Sequence, residues 1–158
     1  MSANEYHFVT RWRVESTVEE VFEVLDNPTD LVRWWPAVYL DVNEVEPGVY
    51  ELLTKGRLPY TIRWRLRRVE SRRPHGFSLE AWGDFEGAGM WTFTQDGGCV
   101  DIVYDWRIKA EKPLLRRLSF LLKPIFSANH RWAMTQGERS LKKELERRKQ
   151  TLATNEHE

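Results

Sequence analysis

The stretch Val100 to Ile108 constrains this chain more than any other. Val100, Ile102, Tyr104, Trp106 and Ile108 alternate with Asp101, Val103, Asp105 and Arg107. A period of two places the first set on one face of a β-strand and the second set on the other. Asp96-Gly97-Gly98 stands just before it, a hairpin signal that pairs the preceding run, Met90 to Thr94, antiparallel with it. After Pro113 the period changes. No proline occurs from Ser127 to Lys149, and Met134, Gly137, Leu141 and Leu145 form a stripe at helical spacing. The apolar face of such a sheet must be covered, and the long helical run is the segment able to cover it.

The rest of the chain supplies more strands. His7 to Val14 reads as a strand with Phe8, Thr10, Trp12 and Val14 on one face. Ser16 and Thr17 stand three residues before Glu19 and Glu20, so either pair can form a capping box. The helix they start carries Val18, Val21, Phe22 and Leu25 on one side and stops at Asp26-Asn27-Pro28. Thr29 to Trp35 reads as a second short helix, closed by Pro36. Val38 to Glu46 and Val49 to Lys55 flank a Pro47-Gly48 turn. In Tyr60 to Glu70, Ile62, Trp64 and Leu66 alternate with Arg63, Arg65 and Arg67. Phe77 to Gly83 is a further strand whose facing is open, because Phe77, Leu79 and Ala81 compete with Trp82 for the inside. Gly83 to Gly89 reads as a glycine-rich link. Leu114 to Leu122 is helical, and Pro124 bends or breaks that helix. The helix from Ser127 to Lys149 is about 35 Å long, and its basic end suits the helix dipole.

The predicted fold is therefore α+β: a curved antiparallel sheet of about six to seven strands packed on a long C-terminal helix, with two short helices after the first strand. Its length of 158 residues fits one domain, 1–150, followed by a polar tail, 151–158. Lysine plus arginine and aspartate plus glutamate each total 24, so no basic excess marks a nucleic-acid binder. The stripe Arg63, Arg65, Arg67, Arg68, Arg72 and Arg73 reads as a solvated convex face balanced by Asp101 and Asp105. The lone Cys99 excludes an intramolecular disulfide, and its acidic neighbours Asp96 and Asp101 do not activate a thiol. Met1 to Tyr6 lacks a signal-peptide core, and no apolar run reaches the roughly 20 residues of a membrane span. The expected location is cytoplasmic, with no nucleic acid and no stable membrane insertion; the oligomeric state is left open.

Several local matches resemble one superfamily. Val18-Glu19-Glu20-Val21-Phe22, followed by Asp30 to Trp35 and Pro36, resembles its first helix and its tryptophan-bearing second helix. Val100 to Ile108 resembles its last strand, and Asn129-His130-Arg131-Trp132-Ala133-Met134 with Gly137 and Leu141 resembles its closing helix. The chain from about residue 5 to 149 thus resembles the START-like, SRPBCC superfamily with its helix-grip fold, in the polyketide cyclase/dehydrase-like branch. The resemblance implies a cavity between sheet and helix. The matching ligand-binding positions are Trp64, Leu66, Trp91, Phe93, Tyr104, Trp106, His130, Ala133, Met134 and Gly137. Eight tryptophans in an aromatic content of 13% allow two readings, an aromatic-lined pocket or a filled core.

Catalytic candidates are few. His130 and Tyr104, with Asp84 or Glu80, could serve a cyclase or dehydratase acting on a polyketide-like substrate. Asp84 and Glu86 share a face if extended, and Asp105 and Glu80 could add to them, yet a polar hairpin tip with solvated charges is the favoured reading. No histidine stands at metal-ligand spacing from another, so neither a metal nor another cofactor is expected. Three functions follow: a non-catalytic binder of an apolar small molecule such as a lipid or polyketide, the cyclase-type enzyme, and a protein-interaction module using Arg63 and Arg65.

Overall fold

The alternation patterns close into one sheet in the computed structural model, which describes residues 5–110 and 113–156. Strand β1 (Glu5–Glu15) leads into helix α1 (Val18–Leu25), a single 3-10 turn (Pro28–Asp30) and helix α2 (Leu31–Trp34). Strands β2 (Tyr39–Glu46), β3 (Val49–Lys55), β4 (Thr61–Ser71), β5 (Gly76–Gly83), β6 (Phe85–Asp96) and β7 (Cys99–Ala110) follow, and then helix α3 (Pro113–Glu156). The strands form a seven-stranded antiparallel sheet in the order β1-β7-β6-β5-β4-β3-β2. Only β1 is out of sequence order, and it pairs with β7 along its whole length, from Glu5–Lys109 to Glu15–Cys99. This is the helix-grip arrangement.

The inner face is legible from burial. Trp12 and Val14 of β1, Ile102, Tyr104 and Trp106 of β7, Trp91 and Phe93 of β6, and Leu52 of β3 are all buried. On β5 the competition is settled in favour of Phe77, Leu79 and Ala81, with Trp82 half-buried on the other face. Thr17 caps α1 by accepting from the Glu20 amide at 3.3 Å, while the Ser16 hydroxyl donates to the Glu20 carboxylate at 2.8 Å.

Four expectations change. The glycine-rich stretch is strand, since β6 begins at Phe85 and only Asp84 separates it from β5. Glycine is needed there for room: a Cβ at Gly89 would stand 2.8 Å from both the Tyr104 hydroxyl and the Trp106 ring. Pro124 lies inside a continuous α3; it removes one backbone donor without ending the helix. The polar tail expected from residue 151 continues α3 to Glu156, and the Thr151 and Thr154 hydroxyls donate back to the carbonyls of Arg147 and Gln150. Finally, Asp101 and Asp105 do not balance the arginine stripe, because β5 and β6 lie between β4 and β7. Arg63 and Arg65 pair with Glu51 and Arg67 with Glu80, whereas Asp101 takes Arg13 and Asp105 takes His7 and Arg107.

One buried charge fixes α2 on α3. The Glu144 carboxylate, 2% exposed, accepts from Arg33 of α2 at 2.5 and 3.0 Å, and from Arg147 and Arg148 of its own helix. Arg147 first, then Arg33 and Arg148, hold this carboxyl well below the ordinary range against its burial. Replacing Glu144 by alanine is expected to cost about 2–3 kcal/mol, less than for a fully buried pair because the freed arginines reach water. Urea unfolding checks this, and the loss should exceed that of Glu51→Ala on the exposed face.

Candidate functional site, an aromatic cavity between sheet and helix

The concave face of the sheet does not pack flush against α3. Two lobes remain. The larger, about 460 Å³, lies under α1 and α2 and is walled by Leu31, Trp35, Leu66, Leu79 and Trp91. The smaller, about 160 Å³, lies under the middle of α3 between Phe8, Phe85, Trp106, His130, Ala133 and Met134. Tyr39, Trp64 and Tyr104 belong to both and form the partition between them. Local sequence explains the partition. Tyr104 stacks on Trp91 at 4.0 Å and faces Trp106 at 5.6 Å, as same-face neighbours and cross-strand partners on β6 and β7 must. The Trp64 indole N–H donates to the Thr54 hydroxyl at 3.2 Å, which fixes the ring.

Of the residues singled out by sequence, Trp64 and Tyr104 stand in the partition. Leu66 and Trp91 line the larger lobe; Trp106, His130, Ala133 and Met134 line the smaller. Phe93 is elsewhere: it packs edge-on against Phe22 of α1 and Phe77. Gly137 also lines neither lobe. A methyl group there would overlap the ring of Trp35, so the glycine admits a tryptophan from α2 and not a ligand. Gly137→Ala is accordingly expected to destabilise by about 1–2 kcal/mol, overpacking outweighing the roughly 1 kcal/mol that alanine gains in a helix. Chemical denaturation reads the sign, which bare helix propensity would reverse.

The polar groups at the partition and beneath α3 are neutral. Burial pushes the phenols of Tyr39 and Tyr104 up. Burial, aided by Arg131, pulls the His130 imidazole down to about 4. Its ring stacks on Phe8 at 4.0 Å, and its buried Nε2 has no partner among the described residues. Beside it, the Asn129 side-chain oxygen accepts from the Arg57 amide at 2.7 Å and closes the β3–β4 loop onto α3.

The candidate carboxylates are not in the cavity. Asp84 caps the β5–β6 turn, where its side chain accepts from the Arg63 amide at 3.0 Å and its amide donates to the Arg63 carbonyl. Glu86 is exposed; Glu80 and Asp105 are engaged on the outer face with Arg67 and His7. The sheet itself separates these acids from His130 and Tyr104. Among the described residues no group of three or more His, Cys, Asp or Glu side chains is placed to hold a metal, and no helix is long and apolar enough to cross a membrane. Sequence reasoning missed Tyr39 and the partition.

The family described as polyketide cyclase / dehydrase and lipid transport matches residues 6–146, a span holding nearly all of the sheet and most of α3. The chain belongs to this family. Family membership agrees with the fold of solved structures. A conserved protein from Geobacillus kaustophilus is 13% identical over 90% of this chain and 96% of its own, with a TM-score of 0.73. The Zhui aromatase/cyclase from Streptomyces sp. R1128 is 16% identical over 91% and 95%, with a TM-score of 0.69. A START superfamily protein from Mycobacterium smegmatis is 8% identical over 89% and 97%, with a TM-score of 0.67. At such identities the likeness is one of fold. No curated protein matches this member of the family in sequence.

Proposed function

We propose that this protein binds an apolar or aromatic small molecule, lipid- or polyketide-like, between the sheet and α3 without transforming it. The observation that carries the reading is the cavity lining: aromatic walls around the neutral phenols of Tyr39 and Tyr104 and the His130 imidazole, whose buried Nε2 has no partner among the described residues. A ligand polar group would satisfy the imidazole nitrogen, whereas an empty site leaves it buried without a bond. The proposed binding residues are Trp64, Leu66, Trp91, Tyr104, Trp106, His130, Ala133 and Met134.

A cyclase or dehydratase is the alternative that the family description and the name of the Zhui neighbour suggest. His130 and Tyr104 do line one lobe. At about 4, however, His130 is a poor base near neutrality, and a phenol pushed up by burial is a poor acid. The interaction-module reading has less support still, since Arg63 and Arg65 are occupied by Glu51.

Titration with the neutral fluorophore N-phenyl-1-naphthylamine tests the binding reading. Saturable one-to-one binding is expected, weakened at least tenfold by Ala133→Trp, which fills the smaller lobe. Native mass spectrometry of the purified protein should show the same stoichiometry. Absence of saturable binding, or indifference to Ala133→Trp, would count against the cavity as the site.

A further inference from the structure

Cations and acids balance over the whole chain, 24 against 24, but not locally. No aspartate or glutamate occurs from Pro113 to Gly137, and none from Lys55 to Val69. The fold brings these two stretches together. The Asn129 side-chain oxygen of α3 accepts from the Arg57 amide of the β3–β4 loop at 2.7 Å, and Tyr60 stands edge-on to Phe126 at 6.4 Å. Gly56 lies so close to the Asn129 amide group that a Cβ there would overlap it. Loop and helix wall the smaller lobe together. The acids near this end of the sheet are turned away. Glu5 and Glu86 alternate with the lobe-lining Tyr6 and Phe85 and so take the outer parity, and Asp84 is bound to the Arg63 amide.

What the two stretches present to solvent is cationic and apolar at once. Lys55 and Arg57 of the loop and Arg117 and Arg131 of α3 are exposed. Lys55, Arg57 and Arg131 form no ion pair among the described residues, whereas Arg63, Arg65 and Arg67 are met by Glu51 and Glu80. Between these cations Ile125 is 48% exposed, and Pro59, Pro124 and Ala128 are exposed as well. Arg117, Pro124, Ala128 and Arg131 fall on one helical stripe, about half a turn from Phe126, His130 and Ala133, which face the lobe. Cations alone would suit any polyanion. Apolar residues set among them suit a polyanion whose charged surface covers hydrocarbon, which is a bilayer.

We propose that the β3–β4 loop and the outward stripe of α3 form a docking surface for an anionic lipid bilayer. Lys55, Arg57, Arg117 and Arg131 meet the head groups, and Ile125 enters the interface between them. The contact is peripheral, since no helix among the described residues is long and apolar enough to cross a membrane. It sets the smaller lobe beside the lipid surface. It does not require that lobe to be occupied, so fluorophore binding and membrane binding can fail separately.

Cosedimentation with phosphatidylcholine vesicles, with and without about one-third phosphatidylglycerol, tests the surface. The wild type is expected to bind the anionic vesicles at least tenfold more tightly than the neutral ones, and to be released at about 0.5 M salt, where exposed charges are screened. Lys55→Glu with Arg57→Glu should weaken the binding at least tenfold, and the milder Lys55→Gln with Arg57→Gln by roughly fivefold or more. Ile125→Ser should weaken it about threefold. Lys142→Glu with Lys143→Glu makes the same change in net charge at exposed positions of α3 away from the lobe, and should stay within about twofold of the wild type. Equal loss in that control pair, or no response to Ile125→Ser, would reveal diffuse charge attraction and overturn the docking surface. Equal binding to neutral vesicles, or none to either kind, overturns it too. Tighter binding to a single-stranded oligonucleotide than to the anionic vesicles would assign the cations to nucleic acid and likewise overturn it.

Discussion

Replacing Trp35 by alanine is expected to lower the unfolding free energy by about 4 kcal/mol, the scale for removing a buried aromatic side chain. Trp35 is 1% exposed and is the largest of the fully buried side chains. Its ring meets Trp12 at 5.8 Å, Trp34 at 5.6 Å and Tyr39 at 5.0 Å, and it closes on α3 where Gly137 makes room. Such contacts cannot be recovered by collapse, because two of the neighbours, Trp12 and Tyr39, are themselves rigid aromatic rings held by β1 and β2. The indole N–H has no partner among the described residues, so the substitution also removes an unsatisfied donor, which trims the loss slightly. Guanidinium unfolding with an unchanged m-value would register the effect as a pure midpoint shift. The void should join the larger lobe and accept indole. Added indole is then expected to raise the melting temperature of Trp35→Ala and not that of the wild type. A loss below about 1 kcal/mol would mean that Trp35 is not a packing keystone.

The place of Trp35 also shows where sequence reading stops. Adjacent tryptophans on one helix cannot face the same way, which predicts that Trp34 and Trp35 diverge. Both are buried nonetheless, because α2 ends at Trp34 and the backbone of Trp35 leaves the helical conformation. The sheet was far more legible. Period-two patterns in β1, β4 and β7 gave the inner faces correctly, and the hairpin at Asp96–Gly98 gave the β6–β7 pairing. What misled was glycine. Gly87 and Gly89 resemble a link when read locally, yet they are strand residues whose missing side chains accommodate groups on the neighbouring β7. Gly137 likewise marks a close approach, but the approaching group comes from α2, which no periodicity in α3 could name. The acids were legible in type but not in partner, because Asp84, Glu80 and Asp105 acquire their roles from strands adjacent in space.

Acidification between about pH 6.5 and 4 should destabilise the fold through His130. The imidazole is pulled from 6.5 to about 4, first by burial and then by Arg131, while in the unfolded chain it keeps its ordinary value. Across that window the unfolded chain binds one more proton than the folded protein. Lowering the pH therefore favours unfolding, and stability is complete only above about 6.5. A shift of this size corresponds to roughly 3 kcal/mol between the two ends of the window, at 1.36 kcal/mol for each pH unit. Other groups act differently. Glu144, held low by Arg147, Arg33 and Arg148, gives a contribution that is lost only as the pH falls below about 4.5. Asp26, raised by burial, works with the opposite sign: above its ordinary 3.8 the folded protein binds the extra proton and acid favours folding. Urea unfolding of His130→Phe should show the pH 4 to 6.5 slope removed, with the loss below pH 4.5 intact. Asp26→Asn should steepen the slope at its lower end. Persistence of the full slope in His130→Phe would assign it to another group and would mean that His130 is solvated in the folded protein. That would also remove one of the neutral polar groups on which the binding site depends, so the same titration bears on stability and on function.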